Sequence, residues 1–286
     1  MASRGASVTK VPAADLYVSE PSPGMFGNRK NEEDNPAWTN CNWLKSRFHF
    51  SFAEYSNRGN GQFGVLRVMN DDLVQPARGF GEHQHRDMEI VTYIMEGHLT
   101  HQDSMGTAET LAAGSVQYMT AGSGVRHSEH NLDPSAPLRF IQMWLVPRQS
   151  GLRPEYGSLA AMGEGAAAAP PNTWRHLVGD ADQPVAPGAE APPIRIHTDA
   201  NIFTSTVGEG EGTPLELAAG RQAYLLALDG SLQLLPGAGC TAEGPTQLDR
   251  HDAAELRGPL SLRIVAAGAA QVLMVEMADD GSSRYR

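Results

Sequence analysis

The 286-residue chain is 41% hydrophobic, enough to bury a sizeable core in one large domain or two ordinary ones. Its net charge of −11 argues against nucleic acid or a membrane surface as a partner, since both need clustered Lys and Arg. Two distant cysteines, Cys41 and Cys240, exclude a disulfide framework or thiolate zinc site and read as incidental thiols. No stretch approaches the roughly 18 apolar residues of a membrane span. With no secretory apolar run near the start, a cytoplasmic protein is expected, with a nuclear location as the alternative.

Residues 1–40 are polar and rich in Pro, Gly and Asn, and read as an extended arm with one strand near Asp15–Ser19. RFHFSFAEY then alternates, which predicts a strand with Phe48, Phe50 and Phe52 on one face and His49 turned outward. GVLRVMNDD predicts a second strand ending in an Asn-Asp-Asp turn. MEIVTYIMEGHLTHQ reads as a hairpin about Gly97, and DSMGT as a turn at Gly106. GSVQYMTAG and LRFIQMWLVP are further strands. Short strands between Gly turns, with almost no helical periodicity, predict an all-β barrel or sandwich.

The composition changes at Pro147. GEGAAAAPPN and GDADQPVAPGAEAPP are low-complexity surface loops, and RPEYGSLAAM reads as a short helical turn. Strands resume at Ile194 with IRIHTDANIFTSTV, AYLLALDGSLQLL, LSLRIVAAG and AQVLMVEMA. IMEGHLT and ALDGSLQ match in kind, so Gly97 and Gly230 correspond and the chain reads as a duplicated barrel. The places equivalent to His83 and His85 are Glu216 and Ala218, so the second copy lacks the histidine pair. His176, His197 and His251 are scattered and read as non-ligands.

The chemistry concentrates between Gly79 and Asn131. His83-Gln84-His85 and His127-Ser128-Glu129 are i, i+2 pairs, and on a strand such pairs share a face. Two facing strands would bring three imidazoles and a carboxylate to one point, a set suited to a first-row divalent metal such as iron(II). Glu89 has the parity of His85 and also competes for the carboxylate role, but Glu129 pairs directly with His127. His98 and His101 follow the Gly97 turn and read as exposed, with a fixed His101–Asp103 turn network as the other reading. His130 has the opposite parity and points away.

HxHx₃E, then G-x₅-T-x-G-x₄-H-x₃-N ending at His127 and Asn131, resembles the two cupin motifs, with Thr120 where Pro is usual. HQHRDMEIVTYIMEG, HLTHQDSMGT, MTAGSGVRHSEHN and NDDLVQPARGFGEHQH are similar to pirin signature segments. The resemblance implies two cupin (double-stranded β-helix, jelly-roll-like) barrels with one metal, in the N-terminal barrel only. The expected boundaries are 10–148 for that barrel, 149–193 for linker and loops, and 194–280 for the metal-free barrel. The implied metal ligands are His83, His85, His127 and Glu129, with iron(II) or another of Mn, Co, Ni, Cu and Zn. The implied activity is cleavage of a flavonol such as quercetin by dioxygen with release of carbon monoxide. Glu129 would then be the catalytic base, and Val91 and Met119 would supply the dry pocket. A second implication is an iron-bearing regulatory protein that senses redox state and binds protein partners without turnover.

Overall fold

A computed structural model describes residues 5–28, 42–160, 170–184, 191–209, 212–237 and 244–279, so Cys41 and Cys240 lie outside the described residues. In chain order the first strands are β1 (Ser7–Val11), β2 (Tyr17–Ser19), β3 (Leu44–Phe48), β4 (Leu66–Val74), β5 (Arg78–His85) and β6 (Glu89–Glu96). Next come β7 (His98–Asp103), β8 (Ala108–Ala112), β9 (Val116–Thr120), β10 (Val125–Asn131), β11 (Leu138–Leu145) and β12 (Glu155–Leu159). The later strands are β13 (Arg175–Asp180), β14 (Ile194–Ile196), β15 (Ala200–Val207), β16 (Thr213–Leu217) and β17 (Arg221–Asp229). The last are β18 (Leu232–Pro236), β19 (Thr246–Leu248), β20 (Ala253–Arg257), β21 (Leu260–Ala266) and β22 (Ala270–Ala278). Among the described residues no helix is long and apolar enough to cross a membrane.

The chain divides into two compact units, one of residues 17–62 and 66–166, the other of residues 1–16, 63–65 and 167–286. Each combines a seven-stranded and a four-stranded sheet. In the first unit the orders are β12-β9-β6-β11-β4-β3-β2 and β5-β10-β7-β8. In the second they are β1-β20-β17-β22-β15-β13-β14 and β16-β21-β18-β19. Each strand of the first small sheet has its counterpart eleven places on, so the duplication legible in the Gly97 and Gly230 segments extends through the strand order. At one large-sheet edge β1 holds the place that β12 holds in the first unit. The units are therefore not the continuous segments expected. The arm at residues 7–11 pairs antiparallel with β20, and the expected linker supplies β12 and β13.

Side chains from both sheets meet in each core. Leu44, Val74, Ile94, Leu99, Leu111, Leu138 and Phe140 pack together in the first unit. In the second unit leucines, alanines and Ile264 fill the interior. There Leu215 and Leu217 stand opposite Leu262 and Leu260 and face inward, whereas Glu216 lies exposed between them and Ala218 just beyond. Apolar packing thus occupies the interior where the first unit carries histidines. His176 instead reaches Asn201 and stacks on Phe203.

Several local expectations change. The alternation at Phe48–Phe52 does not continue as a strand. β3 ends at Phe48, and His49, expected outside, is 1% exposed, its amide bonded to the Met69 carbonyl. Asn70-Asp71-Asp72 makes no turn. These residues lie buried within β4, where tertiary partners override their turn preference. RPEYGSLAAM yields the strand β12, paired with β9. Gly97 is not a hairpin tip, because β6 and β7 lie in different sheets. It forms the corner where the chain changes sheet, at φ 76, and Gly230 does the same between β17 and β18 at φ 72.

A Cβ at Gly97 would lie 2.4 Å from the Pro137 carbonyl oxygen, and one at Gly230 2.8 Å from that of Ala269. At Gly106, also left-handed, nothing lies within 4 Å. Gly97→Ala and Gly230→Ala should therefore each cost about 2 kcal/mol or more in urea denaturation, and Gly106→Ala clearly less. Equal losses at all three positions would contradict the corner argument.

Candidate metal centre

β5 and β10 run antiparallel with His127 opposite His83 and Val125 opposite His85. The register shifts between His127 and Glu129, a bulge that re-aims the following side chain. The ring centroids of His83 and His127 lie 4.5 Å apart, and each is 4.8 Å from that of His85. One ring nitrogen from each histidine lies within 4.8 Å of the others, a spacing that one cation can span.

The hydrogen bonds assign the tautomers. His83 Nδ1 donates to the Gly81 carbonyl at 2.8 Å, which leaves its Nε2 as a bare lone pair. His101 Nε2 donates to Asp103 Oδ2 at 3.1 Å, so its Nδ1 accepts from His127 Nδ1, 3.4 Å away. His127 Nε2 is then also bare, and it faces His83 Nε2 at 3.1 Å. Two lone pairs this close repel unless a proton or a metal cation lies between them, and the three converging ring nitrogens make a donor set that fits a metal. Burial first, then the neighbouring imidazoles, pull His85 and His127 down to about 3. Both rings are therefore neutral donors.

Asp103 holds this chain of rings in place. Its Oδ1 accepts the backbone N–H groups of Met105 and Thr107 in the β7–β8 turn. Burial pushes its carboxyl up, but the bonds from His101, Thr107 and Met105 outweigh that and hold it below the usual range. His101, expected exposed, is 1% exposed and stacks on Tyr156 with centroids 4.5 Å apart. The Tyr156 hydroxyl donates to Glu109 Oε2 at 2.8 Å, and burial with that carboxylate raises it well above the phenol range.

Glu129 is buried, and it lies with His127 and His101 in a second group whose ligand atoms are within 4.8 Å of one another. Its Oε1 accepts from Gln117 Nε2 at 2.6 Å and its Oε2 from Gln142 Nε2 at 2.9 Å. Each oxygen keeps a lone pair beyond its amide bond. Glu89 is fully buried in β6, where it accepts from the Thr120 hydroxyl, and belongs to neither group. His98 is exposed and His130 half-buried.

A cavity of ≈170 Å³ borders His83, His85 and Glu129, and Phe26, Trp43, Phe48, Phe52, Phe80 and Trp144 wall it. Val91 and Met119, expected to line it, are buried elsewhere in the sheet. A wider, more open cleft of ≈620 Å³ reaches His85 from the side of Arg86, Ser104 and Arg126.

The pirin family model matches residues 30–145, and a model of the quercetinase C-terminal cupin domain matches residues 185–277. A pirin-like protein of Caulobacter vibrioides is 37% identical over 82% of this chain and 93% of its own length. The chain belongs to the pirin family. A quercetin 2,3-dioxygenase of Escherichia coli K12 is 34% identical over 77% of this pirin and 88% of its own length. The crystal structure of the Escherichia coli pirin YhhW in complex with nickel(II) superposes with a TM-score of 0.73 at 26% identity, covering 95% of this pirin and 99% of that chain. The all-β, two-cupin architecture of this pirin follows from these matches together with its sheets.

The His101–Asp103 turn network, one of the two readings of these residues, is present. Sequence reading missed Gln117 and Gln142, the latter visible as the lone amide in the apolar run LRFIQMWL. Asn70 and Asp72 were visible only as turn formers, yet both line the cavity. Burial, with the nearby Ser46 hydroxyl pulling back and the Asp71 and Glu129 charges pushing on, lifts Asp72 to about 8. Between about pH 4 and 8 the folded chain therefore keeps a proton that the unfolded chain releases. The stability tied to this group is complete at the acid end of that window and is lost as pH rises through 8. In metal-free protein, Asp72→Asn should flatten the fall in urea stability between pH 5 and 8. Parallel slopes for the variant and the wild type would refute the assignment.

Proposed function

We propose that this pirin is a metal-dependent dioxygenase that opens flavonols such as quercetin, consuming dioxygen and releasing carbon monoxide. The observation that carries this reading is the convergence of the ring nitrogens of His83, His85 and His127, with His83, His85 and the buried carboxylate of Glu129 bordering an aromatic-walled cavity. The dioxygenase name of the Escherichia coli K12 relative and the nickel(II) in YhhW support it.

His83, His85, His127 and Glu129 would hold the cation. Iron(II) is the expected ion, and the same donors accept Mn, Co, Ni, Cu or Zn. When bound, the metal supplies Lewis-acid stabilisation of an ionised flavonol oxygen. The chain's own residues do the rest. A Glu129 carboxylate oxygen takes the proton of the flavonol 3-hydroxyl, while the amides of Gln117 and Gln142 keep that carboxylate aimed. Gln142 is steadied in turn by the Trp144 indole N–H, which donates to its Oε1 at 3.1 Å. Gly81, His101 and Asp103 fix which nitrogens of His83 and His127 face each other. The aromatic wall excludes water and offers flat faces to a flat substrate.

Loading the purified protein with each ion and following loss of the visible quercetin absorbance, with carbon monoxide detected alongside, tests the reading. Turnover is expected with at least one ion. His83→Ala should lose bound metal and turnover together. Turnover that survives His83→Ala would misplace the site, and no turnover with any ion on any common flavonol would overturn the enzymatic reading.

A further inference from the structure

β3 and β4 bring three polar side chains to one wall of the cavity. Ser46 stands opposite Asp72 in the register, and Asn70 lies two residues before Asp72 on the same face of β4. All three line the cavity, and none is more than 3% exposed. Among the described residues Ser46 Oγ, Asn70 Oδ1 and Asp72 Oδ1 have no hydrogen-bond partner, although the Ser46 hydroxyl lies near enough to Asp72 to act on its carboxyl. Asp71, between them, is turned to the other face, where Arg139 grips it with two bonds of 2.9 and 2.8 Å. The strand thus settles its structural charge on one side and leaves orphaned polar atoms on the other. Apolar side chains would pack here without the cost of desolvating groups that gain no partner.

The rest of the wall cannot satisfy these atoms. The Trp43 indole N–H donates to the Ser22 carbonyl and that of Trp144 to Gln142. Among the described residues no Lys or Arg lines the cavity while Glu54 and Glu129 do, so a carboxylate or phosphate ligand is disfavoured. What fits is a neutral, flat molecule with a hydroxyl placed at these atoms.

We propose that Ser46, Asn70 and Asp72 form a hydroxyl-binding subsite for an aromatic ligand that carries a second phenolic hydroxyl beyond the oxygen held at the imidazoles. This rests on the flavonol reading and narrows it, because substrates with further ring hydroxyls are preferred over those without.

Anaerobic calorimetry on the protein with its measured metal content tests this, with kaempferol compared against 3-hydroxyflavone. The wild type should bind kaempferol at least about tenfold more tightly, since a site built to hydrogen-bond a hydroxyl rejects the analogue lacking it. Asp72→Leu should bring that ratio to within about twofold, keep 3-hydroxyflavone binding, and leave Tm equal to or above that of the wild type. Where Asp72→Leu fails to fold, Asp72→Asn and Ser46→Ala carry the same comparison and should lower the ratio severalfold. A ratio unchanged by these variants overturns the subsite, as does a lowered Tm with the ratio intact, which would make Asp72 structural. If neither flavonol binds the wild type, the flavonol reading fails, and 4-ethylphenol against ethylbenzene then decides the subsite alone. A hydroxyl preference abolished in the Asp72 variant sustains it, and none overturns it.

Discussion

The pairing of β5 with β10 is the constraint on which the site depends. With His127 across from His83, their Nε2 atoms stand 3.1 Å apart. A slip of one residue would carry His83 and His85 to the opposite face and bring Gln84 and Glu82 inward. Within the two strands Gly79 resists that slip, and from outside the register is held by β7 on the far side of β10 and by the β7–β8 turn. Gly79 sits so close to Glu129 and His130 that a Cβ would meet backbone at 2.4 Å. The turn places Asp103 to bind His101, which reaches His127. A hydrogen-bonded turn thereby sets the tautomer of the His127 imidazole that faces His83.

β4 divides its labour in the same way. Its Asp71–Arg139 pair is a buried bidentate bridge between neighbouring strands, and breaking one partner would strand the other's charge in the sheet. The flanking Asn70 Oδ1 and Asp72 Oδ1 lie at the cavity with no hydrogen-bond partner among the described residues. Three consecutive polar residues in a buried strand are costly as pure structure. They become intelligible when one face holds the sheet and the other faces a ligand.

The second unit is the control that the molecule carries within itself. It repeats the strand order of the small sheet and the positive-φ glycine corner, yet presents Leu215 and Leu217 inward and closes its interior with aliphatic packing. Among the described residues, both groups able to hold a metal lie in the first unit. A cupin interior can thus be filled by apolar side chains or left polar for chemistry, and the choice is made by a few inward positions on two paired strands.

Much of this was legible without coordinates. Alternation and glycine turns determined the all-β class, the Gly97 and Gly230 echo determined the duplication, and i, i+2 spacing determined that His83 shares a face with His85. These are local properties, set by backbone periodicity within a few residues. Local rules could not see which strands pair across long sequence distances. That alone made Gly97 a corner between sheets, drew residues 7–11 into the second unit's sheet, buried His49, and turned an Asn-Asp-Asp apparent turn into the middle of β4. The same long-range pairing buried His101 and set Gln117 and Gln142 against Glu129, because a side chain's partners are chosen by the strand beside it and not by its neighbours in sequence.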